Sequence, residues 1–577
     1  MRIPPVQHDA VRGPQPAAPE AHPRSGGRPQ AAGGSGARRL PPPARRLSPI
    51  AYRLSPDSGW RFYGLVYLAA FAVYAAVAWP HTHPPYMDSF YYLDIARNLA
   101  RGQGLTEGFV WNYLGGMPPL RHPSSEYWLP GLSLLLAPAL ALGGGYRAAA
   151  LLTAAVAALC PALAARIGRD LFGTRRHALT MAGLTLFNGL WFHDWTTPDA
   201  FVPFAALATI TLLLAYMGLQ GRPLSRVARS PSLAYALAGL TAGLASLMRQ
   251  EGVFLLVAVL LAALLTPQAR PRLWPRGLLG AVGLFSLVQL PWVLHNLAVL
   301  GTPYAAGGSR TLWMRSYDAF YSLHTERLTP RAYLAWGLPH IVSARIGAAL
   351  FTVAIWAALW LVVLVPPLLS GLWRLRRRVE CRPFLMYWAL LALAMPLLFT
   401  ATLQNGTLQH ASGALVPFGS ALVVAGIDVL ATFLARLRGR HAGRLARDMS
   451  IMAVALAALT SLYMTGKTFP TQGDEYTHDA AVVAWLHRHN PARTPVMVLD
   501  PPAFAYLDDG AYVVAPSDGL SAAREVARHY GVRYWALDAL HAPDQEALYR
   551  RHVRLPWLRW VATVHGVQIY ELVGSRR

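Results

Sequence analysis

The 577-residue chain holds two cysteines, Cys160 and Cys381, and a single lysine, Lys467. Two cysteines without CxxC spacing exclude a disulfide framework. Acidic residues are also scarce, 28 against 52 basic ones, and charged residues together make up only 14% of the sequence. With 54% hydrophobic residues and a mean hydropathy of +0.31, so little charge excludes a soluble multidomain protein. A net charge of +24 invites a nucleic-acid reading. The arginines argue against it, because they crowd into the first 60 residues and into short loops between apolar runs, where topology signals lie. No nucleic-acid partner is expected.

What is present is a series of runs close to the roughly 20 apolar residues that cross a bilayer. The expected class is a polytopic α-helical membrane protein. Residues 1–59, rich in Pro, Gly and Arg, lack the apolar core of a signal peptide and are expected to form a disordered basic cytoplasmic tail. The first apolar segment, about 60–79, is then an uncleaved anchor running outward. Further spans are expected at about 148–168, 177–193, 200–218, 232–248, 252–267, 277–300, 346–372, 384–402, 412–435 and 449–466.

Residues 127–145 are apolar but broken by Pro130 and Pro138. If they do not cross, the arginine-rich loops all fall on the cytoplasmic side, namely Arg166 to Arg176, Arg222 to Arg229, Arg270 to Arg276, Arg374 to Arg382 and Arg436 to Arg447. The segment is therefore expected to be re-entrant or interfacial, giving about 11 transmembrane helices. The transmembrane domain is placed at 60–466, with a large first external loop at 80–146. The tail, 467–577, alternates strand patterns such as "TPVMVLD" and "HGVQIYELV" with amphipathic helix patterns, and is expected to be an extracytoplasmic α/β domain.

The external segments carry the acids. In "MDSFYYLDIARNLARGQGLT", residues 87–106, a helical wheel puts Tyr91, Tyr92, Ile95, Ala96 and Leu99 on one stripe with Asp88 at its head. Asp94 and Arg97 fall on the other face, where a solvated pair is expected. The simplest role for Asp88 is a helix N-cap, but it sits on the burying face directly outside a span. Other external segments supply Arg121, His122 and Glu126; His193, Asp194 and Asp199; Arg249 and Glu251 at a turn in an apolar hairpin; and His410 at the mouth of a span. His81 and His83 have the spacing of a metal pair, which reads as chance. Charged groups collected on one side of a membrane usually line a cavity or pathway.

The order of these features resembles the GT-C superfamily of integral membrane glycosyltransferases, in the branch containing the protein O-mannosyltransferases and the lipid A aminoarabinose transferase. The resemblance covers roughly residues 60–466. It rests on an anchor followed by an Asp and "YYLDIARNLARGQGLT", a His-Pro loop before "YWLPGLSLLLAP", a span ending in "RDLFG", then "MRQEG" and "PWVLHNLAVLGTPY". It implies an inverting enzyme that moves a sugar from a polyprenyl-phosphate donor to an extracytoplasmic acceptor, which is a protein, lipid or glycan. The resemblance makes Asp88 the catalytic carboxylate, acting as general base, followed here by Ser89 where the family often has a second acid. It points Arg249 at the donor phosphate, with Arg121 and His122 on the donor side. Tyr91, Tyr92, Glu126, Asp199, Glu251 and His410 are expected around the cavity. Relatives that transfer oligosaccharides use a divalent ion, so Mg or Mn held by Glu126, Asp199 and His410 is an open expectation. The implied location is a prokaryotic plasma (inner) membrane. A transporter or flippase of a lipid-linked or polar substrate, and a non-catalytic polymer-assembly protein, are the alternative readings. No inverted repeat supports transport.

Overall fold

The computed structural model describes residues 59–221, 230–304 and 306–573, the side chains at 270, 272 and 306 aside. The tail expected at 1–59 lies outside them but for its last residue, and so do Arg222, Arg226 and Arg229. Among the described residues nine helical segments are long and apolar enough to cross a membrane. They are α1 (Gly59–Ala78), α4 (Tyr146–Phe172), α6 (Phe201–Gln220), α7 (Pro231–Met248), α9 (Arg276–Leu300), α10 (Leu338–Leu359), the segment Val379–Leu398 with α12 (Arg382–Leu398), the segment Thr407–Arg438 that begins with α13 (Thr407–Ser412), and α15 (Ala442–His489). Two further expected spans are shorter. The stretch expected at 177–193 is α5 (Arg175–Leu186) followed by a 3₁₀ turn, and that at 252–267 is α8 (Gly252–Leu264).

The stretch expected as one span at 346–372 is two helices, α10 and α11 (Val365–Leu375). The break lies at Leu361 and Val362, whose φ angles are +53° and +59°. Hydropathy runs straight through these residues, so composition alone does not reveal the interruption. Beyond it α11 lies against α14 (Val416–Arg438), where a Cβ on Gly371 or Gly426 would overlap the partner's backbone. Small residues are what let helices approach this closely without a hydrophobic driving force.

Residues 127–145 contain only α3 (Gly131–Ala141), 11 residues with Pro138 inside, about half the length of a span. Helix α2 (Met87–Ala100) packs beside it, and the Ser133 hydroxyl donates to the carbonyl of Tyr92 at 2.9 Å.

Contacts between distant turns sort the charges to two ends. Arg176, in the first turn of α5, bonds Asp428 of α14 at 2.5 Å and reaches the start of α15 at Ser450. Arg382 donates to the carbonyl of Leu265 after α8, and Gln220 at the end of α6 to Glu380. These arginine-bearing turns therefore share one end of the bundle, and the acids of the external segments gather at the other.

Helix α15 runs unbroken for 48 residues, about 72 Å at 1.5 Å per residue, so the expected boundary at 466/467 falls inside a helix. Past it stands a six-stranded sheet. In chain order its strands are β2 (Phe109–Val110), β4 (Val496–Val498), β5 (Tyr512–Val514), β6 (Tyr534–Leu537), β7 (Leu558–Val564) and β8 (Val567–Leu572), and their spatial order is β2-β5-β4-β6-β8-β7. Its edge strand β2 comes from the first external loop and pairs in parallel with β5. A two-stranded ribbon, β1 (Thr106–Glu107) with β3 (His122–Pro123), completes that loop.

Candidate active site

Helix α2 begins at Met87 with Tyr86 as its N-cap residue, and no side chain caps it. Asp88 therefore lies inside the first turn rather than at the cap. Its carboxylate faces a cleft of about 700 Å³ lined also by Tyr92, Tyr127, Trp128, Arg249, Glu251, Tyr317, Asn405 and His410. Trp128 is held by stacking on Trp111 at 4.1 Å between ring centres and by Tyr91 at 4.7 Å. Tyr91 thus stands one layer behind the wall, its hydroxyl accepting the Ser125 N–H at 2.8 Å.

Asp88, Asp199 and His410 bring one ligand atom each within 4.8 Å of the others. His410 Nε2 is 3.2 Å from Asp199 Oδ2 and 3.6 Å from Asp88 Oδ2. Its Nδ1 is 2.8 Å from the carbonyl of Gly406, so that nitrogen carries the hydrogen and donates. A neutral ring would then aim the Nε2 lone pair at two carboxylates. That geometry calls for a positive charge between them, either a proton on Nε2 or a metal ion. Phe201 stacks on the ring at 3.7 Å and fixes its plane. Asp199 is fully buried; the Tyr86 hydroxyl donates to its Oδ2 at 2.9 Å, and the Ala200 N–H to Oδ1.

Burial, and then the neighbouring Asp199 carboxylate, push the Asp88 carboxyl up to about 7, with His410 and Arg249 pulling the other way. Burial works against the Asp199 carboxylate too, but His410 and Tyr86 outweigh it and hold it below its ordinary value. Two adjacent carboxyls are thereby separated, one ionised and one poised near neutrality.

The turn between α7 and α8 delivers Arg249, whose Nη2 donates to Glu251 at 2.8 Å. The Glu251 side chain is buried and that of Arg249 12% exposed, and Arg249 Nε is buried with no hydrogen-bond partner among the described residues. Part of the guanidinium is thus left free beside the cleft.

Other expected site residues lie elsewhere. Arg121 is exposed and donates to Gln103 at 3.0 Å. His122 is buried 2.8 Å from Glu107, and Glu126 belongs to the same group, its carboxyl raised by burial and by Glu107 against the pull of His122. The oxygen and nitrogen donors suited to an ion are those of Asp88, Asp199 and His410, with Asp88 where Glu126 was expected. Asp94 is 4% exposed and not solvated, because α16 (Pro501–Asp508) covers that face of α2. Arg97 donates to the carbonyl of Tyr506 and lies 4.0 Å over its ring, while Arg101 pairs with Asp509 at 3.1 Å. Tyr86, Trp128, Tyr317 and Asn405 were not expected in the site. Tyr86 alone carried a signal, two residues from Asp88.

A scan of family models and a search of curated proteins match nothing. Solved structures do match. ArnT from Cupriavidus metallidurans bound to undecaprenyl phosphate superposes with a TM-score of 0.55 at 14% identity, over 90% of this chain and 99% of that one. The archaeal oligosaccharyltransferase AglB from Archaeoglobus fulgidus, in complex with an inhibitory peptide and a dolichol-phosphate, gives 0.51 at 15% identity, over 85% and 71%. A complex of the Archaeoglobus fulgidus oligosaccharyltransferase with Zn and sulfate gives 0.50 at 14% identity, over 81% and 68%.

The chain has the GT-C fold. Within that fold the acid-bearing cleft occupies the end of the helix bundle nearest the sheet-bearing C-terminal region, since α2 packs against both α3 and α16.

Proposed function

We propose that this GT-C protein is an inverting glycosyltransferase, moving a sugar from a polyprenyl-phosphate carrier to an acceptor at the outer face of a prokaryotic plasma membrane. The observation that carries the reading is that Asp88 and Arg249 line one cleft at the end of the bundle opposite the arginine-rich turns. The positive-inside rule makes those turns cytoplasmic and the cleft extracytoplasmic. ArnT and AglB are described with prenyl-type phosphates bound, which supports a donor of that class.

In the proposed reaction the acceptor hydroxyl or amine attacks the anomeric carbon from the side opposite the phosphate. A bond forms from acceptor to sugar, the bond from sugar to phosphate oxygen breaks, and the configuration inverts. The acceptor proton passes to Asp88, whose carboxyl near 7 suits a general base at neutral pH. Charge grows on the departing phosphate, and Arg249, with its buried Nε unpartnered, is the donor that stabilises it. Trp128, Tyr127 and Tyr317 offer flat apolar surface for the sugar ring.

A second cavity of about 510 Å³, lined by Tyr86, Asp194, Phe201 and Gln409, shares Asp88, Asn405 and His410 with the first. Donor in the first and acceptor in the second would place the base between them. Asp88, Asp199 and His410 also fit a divalent ion, having two carboxylates and an unprotonated Nε2 within reach of one centre. An ion bound there would balance the two carboxylates and add positive charge near the leaving phosphate. The test is transfer of radiolabel from polyprenyl-phosphate sugars by purified protein, compared with Asp88→Asn. Label transfer that survives the substitution would overturn the assignment of Asp88.

A further inference from the structure

A second histidine pair lies apart from the cleft. His81, in the loop after α1, and His193, before α6, are 8% and 3% exposed, with ring centres 5.3 Å apart and planes at 52°. His193 Nε2 is 2.7 Å from Gln472 Oε1 on α15. An amide oxygen only accepts, so Nε2 carries the hydrogen and Nδ1 presents a lone pair. Among the described residues that Nδ1 is buried without a hydrogen-bond partner, and so is His81 Nε2. Unpaired buried polar atoms are costly, and two on adjacent imidazoles share one remedy.

We infer that His81 Nε2 and His193 Nδ1 form a binding site for a borderline transition-metal ion of the Zn²⁺ class, with Gln472 orienting His193 from behind. Zn–N bonds of about 2 Å at a tetrahedral angle place two imidazole centres about 5 Å apart, close to the separation found here. The histidine with i,i+2 spacing is not the partner. His83 turns away, its ring stacked on Tyr476 at 3.8 Å and its Nδ1 near the carbonyl of Pro84. Neutral imidazole is the form that ligates. The bound ion ties the first external loop and the α5–α6 connection, and through Gln472 the long helix α15, at the point where α15 leaves the bundle. Phe469 of that helix packs on His81 at 4.3 Å.

The experiment uses the full-length protein in detergent, purified without a histidine tag, stripped with chelator and titrated with Co²⁺ and Zn²⁺. Bound metal per chain and the Co²⁺ visible spectrum are read for wild type, His81→Gln/His193→Gln and Asp199→Asn. The inference expects the double histidine variant to lose one equivalent and its imidazole-ligand spectrum, and Asp199→Asn to keep both. An unchanged stoichiometry in the histidine variant overturns it. Should that variant fail to fold, Gln472→Leu leaves both ligands in place. Affinity at this equivalent should then fall about 10- to 100-fold, as for lost outer partners of metal-bound histidine, and an unchanged affinity overturns the site.

Discussion

His410 Nε2 stands 3.2 Å from Asp199 and 3.6 Å from Asp88, so one imidazole faces two carboxylates from two remote segments of the chain. This arrangement makes Asp88 and Asp199 chemically unequal, Asp199 fully buried and Asp88 24% exposed toward the cleft.

Asp88→Asn should lower sugar transfer by about 10²- to 10⁴-fold, the range of a lost general base, with thermal melting little changed. The pH profile gives the sign. Asp88 acts as a base only when ionised, and burial with Asp199 sets its carboxyl near 7. Transfer should therefore fall tenfold per unit as pH drops below about 7, and a profile flat from pH 5 to 8 would contradict this.

Arg249 and Glu251 are paired at 2.8 Å, with Glu251 buried and Arg249 nearly so. Arg249→Met leaves a buried carboxylate alone, a loss of about 3–5 kcal/mol in stability. Adding Glu251→Gln should restore the melting temperature but not the activity. Recovery of both by the double variant would show that Arg249 serves the fold only.

Asp94 is buried beside Arg97, and desolvation pushes its carboxyl up to about 7. A raised carboxyl pKa stabilises the folded state fully below about 4 and loses that contribution as pH climbs toward 7. Above 7 the folded protein carries a buried charge, with stability having fallen by up to ~1.4 kcal/mol per unit across that window. Asp94→Asn should therefore raise the melting temperature at pH 8 and much less at pH 5. Equal shifts at the two pH values would remove Asp94 from the pH dependence.

Sidedness is testable by cysteine labelling in intact cells. Thr174 and Gly143 are both exposed, and the native Cys160 and Cys381 are buried. An impermeant thiol reagent should label Gly143→Cys and spare Thr174→Cys; the reverse pattern would move the cleft to the cytoplasmic side.

Much of the bundle was legible because hydropathy is local. A run of about 20 apolar residues has few fates in a membrane protein, and Pro130 and Pro138 stand before and within an apolar helix of only 11 residues, α3. The break at Leu361–Val362 was not legible, since left-handed backbone in an apolar run leaves no compositional trace. In the site, Asp88, Tyr92, Arg249, Glu251 and His410 were expected at the cavity and do line it. Arg121, His122 and Glu126 stood in an equally suggestive loop, but the structure turns Arg121 to Gln103 and His122 to Glu107, and Glu126 is not among the residues lining the cleft.

The sequence by itself determined that this is a many-helix membrane protein, with loops dense in arginine toward one end and a mixed group of acids, arginines and histidines toward the other. Those properties follow from the cost of moving charge and unpaired backbone into hydrocarbon, which each segment meets alone. Tertiary structure decided which acids matter. Whether Asp94 is solvated depends on Tyr506 and Asp509, more than 400 positions away, and whether Asp88 has partners depends on Asp199 and His410. Burial and pairing across such distances are set by packing between elements, and no local pattern encodes them.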